Sequence, residues 1–245
     1  MTKDQVYSSR IRPSEVSVSS GSKFIGATFL YVFIALAITS LVCTGMGALF
    51  NYAIFENSEL AASSFVTVLL VSLVAYIPVM LWAHFSASRN GPTMKAAYVC
   101  YSIVMGVFMS SFTLLVPFYL IAISFGLTCL TFGLMALIAW NTKKNMSTLS
   151  IVASGLFFGA LMMILFNIIL GLFIDTEGLS WTISFVILIA VILMSVVDLN
   201  NVKRIAVEGG ASSNVALMCA LNLYVDFLYV FIRILGLLVS LKSRR

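Results

Sequence analysis

Between Ala96 and Trp140 the chain runs for 45 residues without one charged side chain. Drawn out as a single helix at ~1.5 Å per residue, such a stretch would exceed twice the ~30 Å thickness of a bilayer core, so it must turn back on itself. Pro117 cannot continue a helical hydrogen-bond ladder, which puts the turn at Leu115–Pro117. The rest of the chain has the same character: 61% of residues are hydrophobic and 9% charged, against ~25% charged in soluble domains. No globular fold of this size hides that much apolar surface, so the solvent is lipid. A membrane barrel would show alternating segments of ~10 residues. Long unbroken apolar runs specify helices instead.

The spacing predicts an all-α membrane protein of seven transmembrane helices. The first covers about Phe24–Phe50 and the second about Phe65–Phe85, with a kink at Pro78. The third and fourth share Ala96–Trp140. A fifth follows at about Leu149–Phe173, a sixth at about Ser180–Leu199 and a seventh within Ser213–Leu241. Residues 1–23 then form a polar tail, 24–241 the membrane domain and 242–245 a basic end. The Ser-rich tail lacks the short apolar core of a cleavable signal peptide, so the first apolar segment is expected to stay as an anchor. Cys43, Cys100, Cys129 and Cys219 stand singly in apolar runs without CxxC spacing and read as small core residues. Gly155 and Gly159 form a GxxxG in the fifth helix, a spacing suited to close packing against another helix of the same chain.

Loop charge orients the bundle, because Lys and Arg flanking membrane helices stay on the cytoplasmic side. Lys3, Arg10, Arg12 and Lys23 in the tail, Arg89 and Lys95, Lys143 and Lys144, and Lys203 and Arg204 make up ten of the 14 basic residues. The intervening loops carry Glu56 and Glu59, then Asp175 and Glu177. A cytosolic N-terminus follows, and the basic pI reports topology rather than nucleic-acid binding. Lys242, Arg244 and Arg245 oppose this rule if the seventh helix spans fully and obey it if that helix is re-entrant. Full span is expected, because it puts Asp226 about four residues from the cytoplasmic face, at the depth of Asp198.

These two aspartates are the carboxylates inside hydrophobic segments. Each costs ~2.5–3.5 kcal/mol at a helix centre on insertion scales, so each must face the bundle interior or an aqueous cavity. Asn222, Asp226, Tyr229 and Arg233 recur at four, three and four residues and line one helix face. Two neighbouring carboxyls in a medium of low dielectric share one proton more readily than both ionise. At low pH the shared proton would bridge the last two helices; at high pH mutual repulsion would part them.

The chain resembles the Bax-inhibitor family of transmembrane proteins over nearly its whole length after the tail. FIGATFLYVF is similar to the family's first helix, and YLIAISFGLTCLTFGLMALIAWNTKKNMSTLS to its fourth helix and the basic loop after it. VVDLNNVKRI resembles the Asp-x-Gln pattern and basic cluster that end the sixth helix, with Asn200 in the Gln place, and LNLYVDFLYVFIRILGLL resembles the LYLDF and RILG elements of the last. The resemblance implies a seventh helix packed centrally among the other six and a pH-sensitive calcium leak gated by Asp198 and Asp226. Some relatives that conduct calcium also have an acidic residue in the second helix and an arginine latch on the sixth-helix aspartate. Here Phe65–Phe85 contains no carboxylate, Arg89 is the candidate latch, and Asn145 replaces an aspartate common after the basic pair. Asn222 and Arg233 are supporting candidates.

The expected function is a cation leak with calcium favoured, passing transiently between Asp198 and Asp226, with no resident cofactor and no enzymatic activity. The alternative is a membrane-embedded regulator whose tail is held by a membrane protease or a stress or cell-death partner. An intramembrane aspartyl protease is disfavoured, because neither aspartate sits in a Tyr-Asp or Gly-x-Gly-Asp setting. His84 has no nucleophile or ligand motif beside it. Short loops point to a bacterial inner membrane.

Overall fold

The structure, a computed structural model, describes residues 13–56, 58–88, 93–142, 146–171, 177–208 and 213–243. These form seven α-helices: α1 Pro13–Glu56, α2 Ser58–Ser88, α3 Met94–Leu115, α4 Phe118–Asn141, α5 Ser147–Leu170, α6 Glu177–Glu208 and α7 Ser213–Ser243. Each contains a stretch long and apolar enough to cross a membrane.

The uncharged run divides where expected. Val116 is extended (φ −123°, ψ 133°), its N–H closing on Phe112 O, and Pro117 caps α4. The cause is local, since a proline forces the residue before it out of the helical region.

Several helix ends differ from the sequence expectation: α1 runs on to Glu56, α2 begins at Ser58 and α6 at Glu177, so Glu56, Glu59 and Glu177 are helical residues instead of loop residues, and two further ends are informative. α1 starts at Pro13, so part of the polar tail is helical; proline is favoured in the first turn, where its missing N–H costs nothing. α6 runs past Leu199 to Glu208, which makes Lys203 and Arg204 helical residues instead of loop residues. Hydropathy marks where a helix leaves hydrocarbon, whereas its hydrogen-bond ladder continues until packing or a breaker stops it. Val202 and Ala206 are buried in this extension, and a Cβ on Gly21 of α1 would lie 2.6 Å from the Ala206 carbonyl.

α7 is continuous over 31 residues, with no turn that would let it re-enter. It is also the most enclosed span, 61% buried against 6% for α2 and 11% for α5. It packs against α1, α2, α3, α4 and α6, while among the described residues α5 touches α6 alone. Lipid offers no hydrophobic drive between helices, so close approach of small residues must hold them. Ala35, Ala83, Ala97, Ala139, Ala153, Ala160, Ala190 and Ala220 are accordingly at or near full burial. Most buried hydroxyls are satisfied by their own helix, as in Thr28 to Phe24 O (3.0 Å) and Thr128 to Ser124 O (2.7 Å).

The GxxxG of α5 does not serve the packing foreseen for it. A Cβ at Gly155 or Gly159 would meet open space. The buried face of α5 is set by Ala153 and Ala160, and at 100° per residue Gly155 and Gly159 point away from it. Cys129 is likewise exposed, unlike the core position expected of it.

Gly106 is a glycine the bundle does need. A Cβ there would sit 2.7 Å from Val42 Cβ and 2.9 Å from the Thr39 carbonyl of α1. Gly106→Leu is expected to force α1 and α3 apart at roughly 1–3 kcal/mol, the usual cost of overpacking. A lowered thermal midpoint in detergent checks this; an unchanged midpoint would mean the helices separate freely.

Candidate intramembrane carboxyl pair

Asp198 lies in the last third of α6 and Asp226 near the middle of α7, two helices in direct contact. Asp226 is 8% exposed and Asp198 half-buried. Their carboxyls are in hydrogen-bonding reach of each other. Asn201, one turn beyond Asp198, is a further partner of that carboxyl, and Ser195, one turn before it, reaches Asp226. The Ser195 hydroxyl already donates to Val191 O at 2.9 Å. Among the described residues, no conventional donor meets the buried Oδ2 of Asp226.

That shortage has a chemical consequence. An ionised carboxylate only accepts hydrogen bonds, so two carboxylates face to face make none; one proton between them turns the contact into an O–H···O bond. Among the described residues neither aspartate has an ion pair with a lysine or arginine. The pair therefore offers two states of opposite sign: joined by one proton, or repelling without it.

The rest of the polar face of α7 is divided. Tyr229 stands within electrostatic reach of both Asp226 and Arg233, and its hydroxyl is 3.5 Å from that of Tyr76 on α2. Arg233 is half-buried one turn beyond Tyr229 and forms no ion pair with the carboxyl pair among the described residues. Asn222 is half-buried, and it is Asn201 that bonds Asp198. Arg89 lies outside the described residues. No cluster of three or more His, Cys, Asp or Glu side chains that could hold a metal ion occurs among the described residues.

Sequence reasoning did not mark Ser195 and Asn201, although Ser195, Asp198 and Asn201 at intervals of three share one face of α6 and were legible there. It also missed a group of tyrosines that joins α2, α3 and α7. Tyr101 of α3 donates to Tyr76 at 3.3 Å, and its ring meets that of Tyr224 edge-on at 5.9 Å. Thr39 of α1 donates to Ser102 O at 3.1 Å and lies 2.5 Å from the Tyr224 hydroxyl. A threonine has one proton to give, so Tyr224 is the donor to Thr39.

Fold and site together define a multi-pass α-helical membrane protein with a carboxyl pair between its last two helices. The chain belongs to the Bax1-I family, inhibitor of apoptosis-promoting Bax1, whose model matches residues 21–244 and so takes in both aspartates. It is 25% identical over 225 residues to an uncharacterized protein of Borreliella burgdorferi, covering 89% of this chain and 91% of that one. It is also 25% identical over 143 residues to inner membrane protein YbhL of Escherichia coli (strain K12), covering 56% of this chain and 59% of the relative. An uncharacterized protein of Chlamydia muridarum is 24% identical over 165 residues, or 63% and 68% of the two chains. No solved structure matches.

Proposed function

We propose that this protein is a pH-sensitive cation leak in a bacterial inner membrane, its N-terminus in the cytosol, with Asp198 and Asp226 as the gate. The observation that carries this reading is the contact of two membrane-embedded carboxyls on adjacent helices with no basic partner among the described residues. A shared proton holds α6 to α7 and closes the path. Loss of that proton leaves two like charges that drive the helices apart and, once apart, attract a cation. No covalent chemistry is involved.

Family membership favours calcium as cargo. Calcium prefers six to eight oxygens, and two carboxylates supply at most four. Water and neighbouring oxygens such as those of Asn201 and Ser195 complete the shell, so residence is brief, as conduction requires.

The test is calcium entry into proteoliposomes at pH 6 and pH 8. Faster entry at pH 8 than at pH 6, above protein-free liposomes at both, is the expected outcome. Equal entry at the two pH values would remove the gating claim, and entry no faster than in protein-free liposomes would remove the leak itself.

A further inference from the structure

A groove on the outside of the bundle, separate from the carboxyl pair, has the shape and charge of a lipid site. Two adjoining openings between α1, α4 and α6 share Ile25, Trp140 and Lys203 as walls. The wider, a cavity of about 430 Å³, is edged by Gly21, Ser22 and Val207. The narrower continues along Phe29, Ala136 and Leu199. From Gly21 to Phe29 is eight residues of helix, or ~12 Å along the axis at ~1.5 Å each. The result is a slot with a polar mouth and an apolar floor.

Lys203 is the charge at the mouth. Its ammonium donates to Trp140 O at 2.5 Å and Thr142 O at 3.1 Å, and lies 6.0 Å from the Trp140 ring centre. An ammonium has three donors, so two carbonyls leave one free, and neutral carbonyls leave the positive charge uncancelled. Lys23 is exposed beside Ser22, and Arg204 pairs with Glu208 at 3.8 Å. This end of the bundle is therefore net positive where the walls carry side chains that suit lipid. Trp140 and Val207 are both largely exposed, and tryptophan favours the depth of headgroups.

We infer that the α1–α4–α6 groove holds one anionic phospholipid, with its phosphate at Lys203 and an acyl chain lying along Ile25, Phe29, Ala136 and Leu199. Basic pockets between membrane helices on the cytoplasmic side take such headgroups. A soluble phosphate would need a polar pocket and would leave this apolar slot unused. Leu199 and Val202, which wall the slot, directly follow Asp198 and Asn201 respectively in the chain, so the lipid would rest against the same turn of α6 as Asp198. The assignment stands whether or not the protein conducts cations.

Native mass spectrometry of the purified full chain with equal amounts of phosphatidylglycerol and phosphatidylcholine tests it. The wild type is expected to retain phosphatidylglycerol about fivefold over phosphatidylcholine, the size of effect one lysine has at a headgroup. Lys203→Gln should bring the ratio to parity and Lys203→Arg should keep it, while Ala136→Phe, which fills the slot and leaves the lysine, should reduce both lipids. No preference in the wild type, or an unchanged one in Lys203→Gln, overturns the proposal. If Lys203→Gln fails to fold for want of its bonds to α4, Ala136→Phe decides: wild-type lipid retention there overturns the slot. Displacement of the lipid by excess glycerol phosphate would show that the headgroup alone is bound, and would equally overturn it.

Discussion

In Asp226→Asn, calcium entry at pH 8 is expected to stay at the level the wild type shows at pH 6. Two unit charges about 4 Å apart at an effective dielectric of ~20 repel by about 4 kcal/mol. Even a third of that, spent on parting α6 from α7, shifts an equilibrium about tenfold. The substitution removes the repulsion and supplies an amide N–H₂ that bonds the Asp198 carboxylate at every pH, which does permanently what the shared proton does reversibly. Asp198→Asn should behave alike, because the contact is reciprocal. The signature is therefore a flat pH profile about tenfold or more below the wild type at pH 8 in both variants, with folding unchanged. A pH response that survives in either variant would show that the sensor lies elsewhere.

Tyr224→Ala is expected to cost more stability than any other single truncation in the helix core, about 3–5 kcal/mol on the scale of buried aromatic deletions. Tyr224 is fully buried, its ring packs on Tyr98 at 6.4 Å and Tyr101 at 5.9 Å, and its hydroxyl donates to Thr39. One side chain thus joins α7 to α1 and α3. Because unfolded helices in lipid are already out of water, the loss is one of packing and the cavity left behind, which places it toward the lower part of that range. Tyr224→Phe keeps the ring and gives up one hydrogen bond, for about 1 kcal/mol. Denaturation in mixed micelles separates the two. If Phe proves as damaging as Ala, the hydroxyl and not the ring is what ties these helices together.

How far the chain could be read in advance varied with how local the cause was. The break at Val116–Pro117 was legible because proline acts on its own backbone and its neighbour's. The end of α6 was not, since Val202 and Ala206 are held in helix by burial against other segments, which no window of hydropathy reports. Gly155 and Gly159 matched a packing motif, yet the side of α5 that meets α6 is the alanine side. Asp198 and Asp226 were legible as a level pair because carboxylates are rare and expensive in hydrocarbon, and depth can be counted at ~1.5 Å per residue.

By itself, then, the sequence determined a lipid solvent, seven helices and two aspartates obliged to point inward, because transfer energies and helical rise act residue by residue. Which side chains surround that pair was decided only by tertiary structure. Ser195 and Asn201 share the Asp198 face by helical spacing, but that this face and not Asn222 supplies the pair's partners, and that tyrosines gather from α2, α3 and α7, depends on how the helices are rotated about their axes. That rotation is set by the fit of small residues such as Ala35, Gly106 and Ala220 across interfaces far apart in the chain, a contact energy that no local pattern contains.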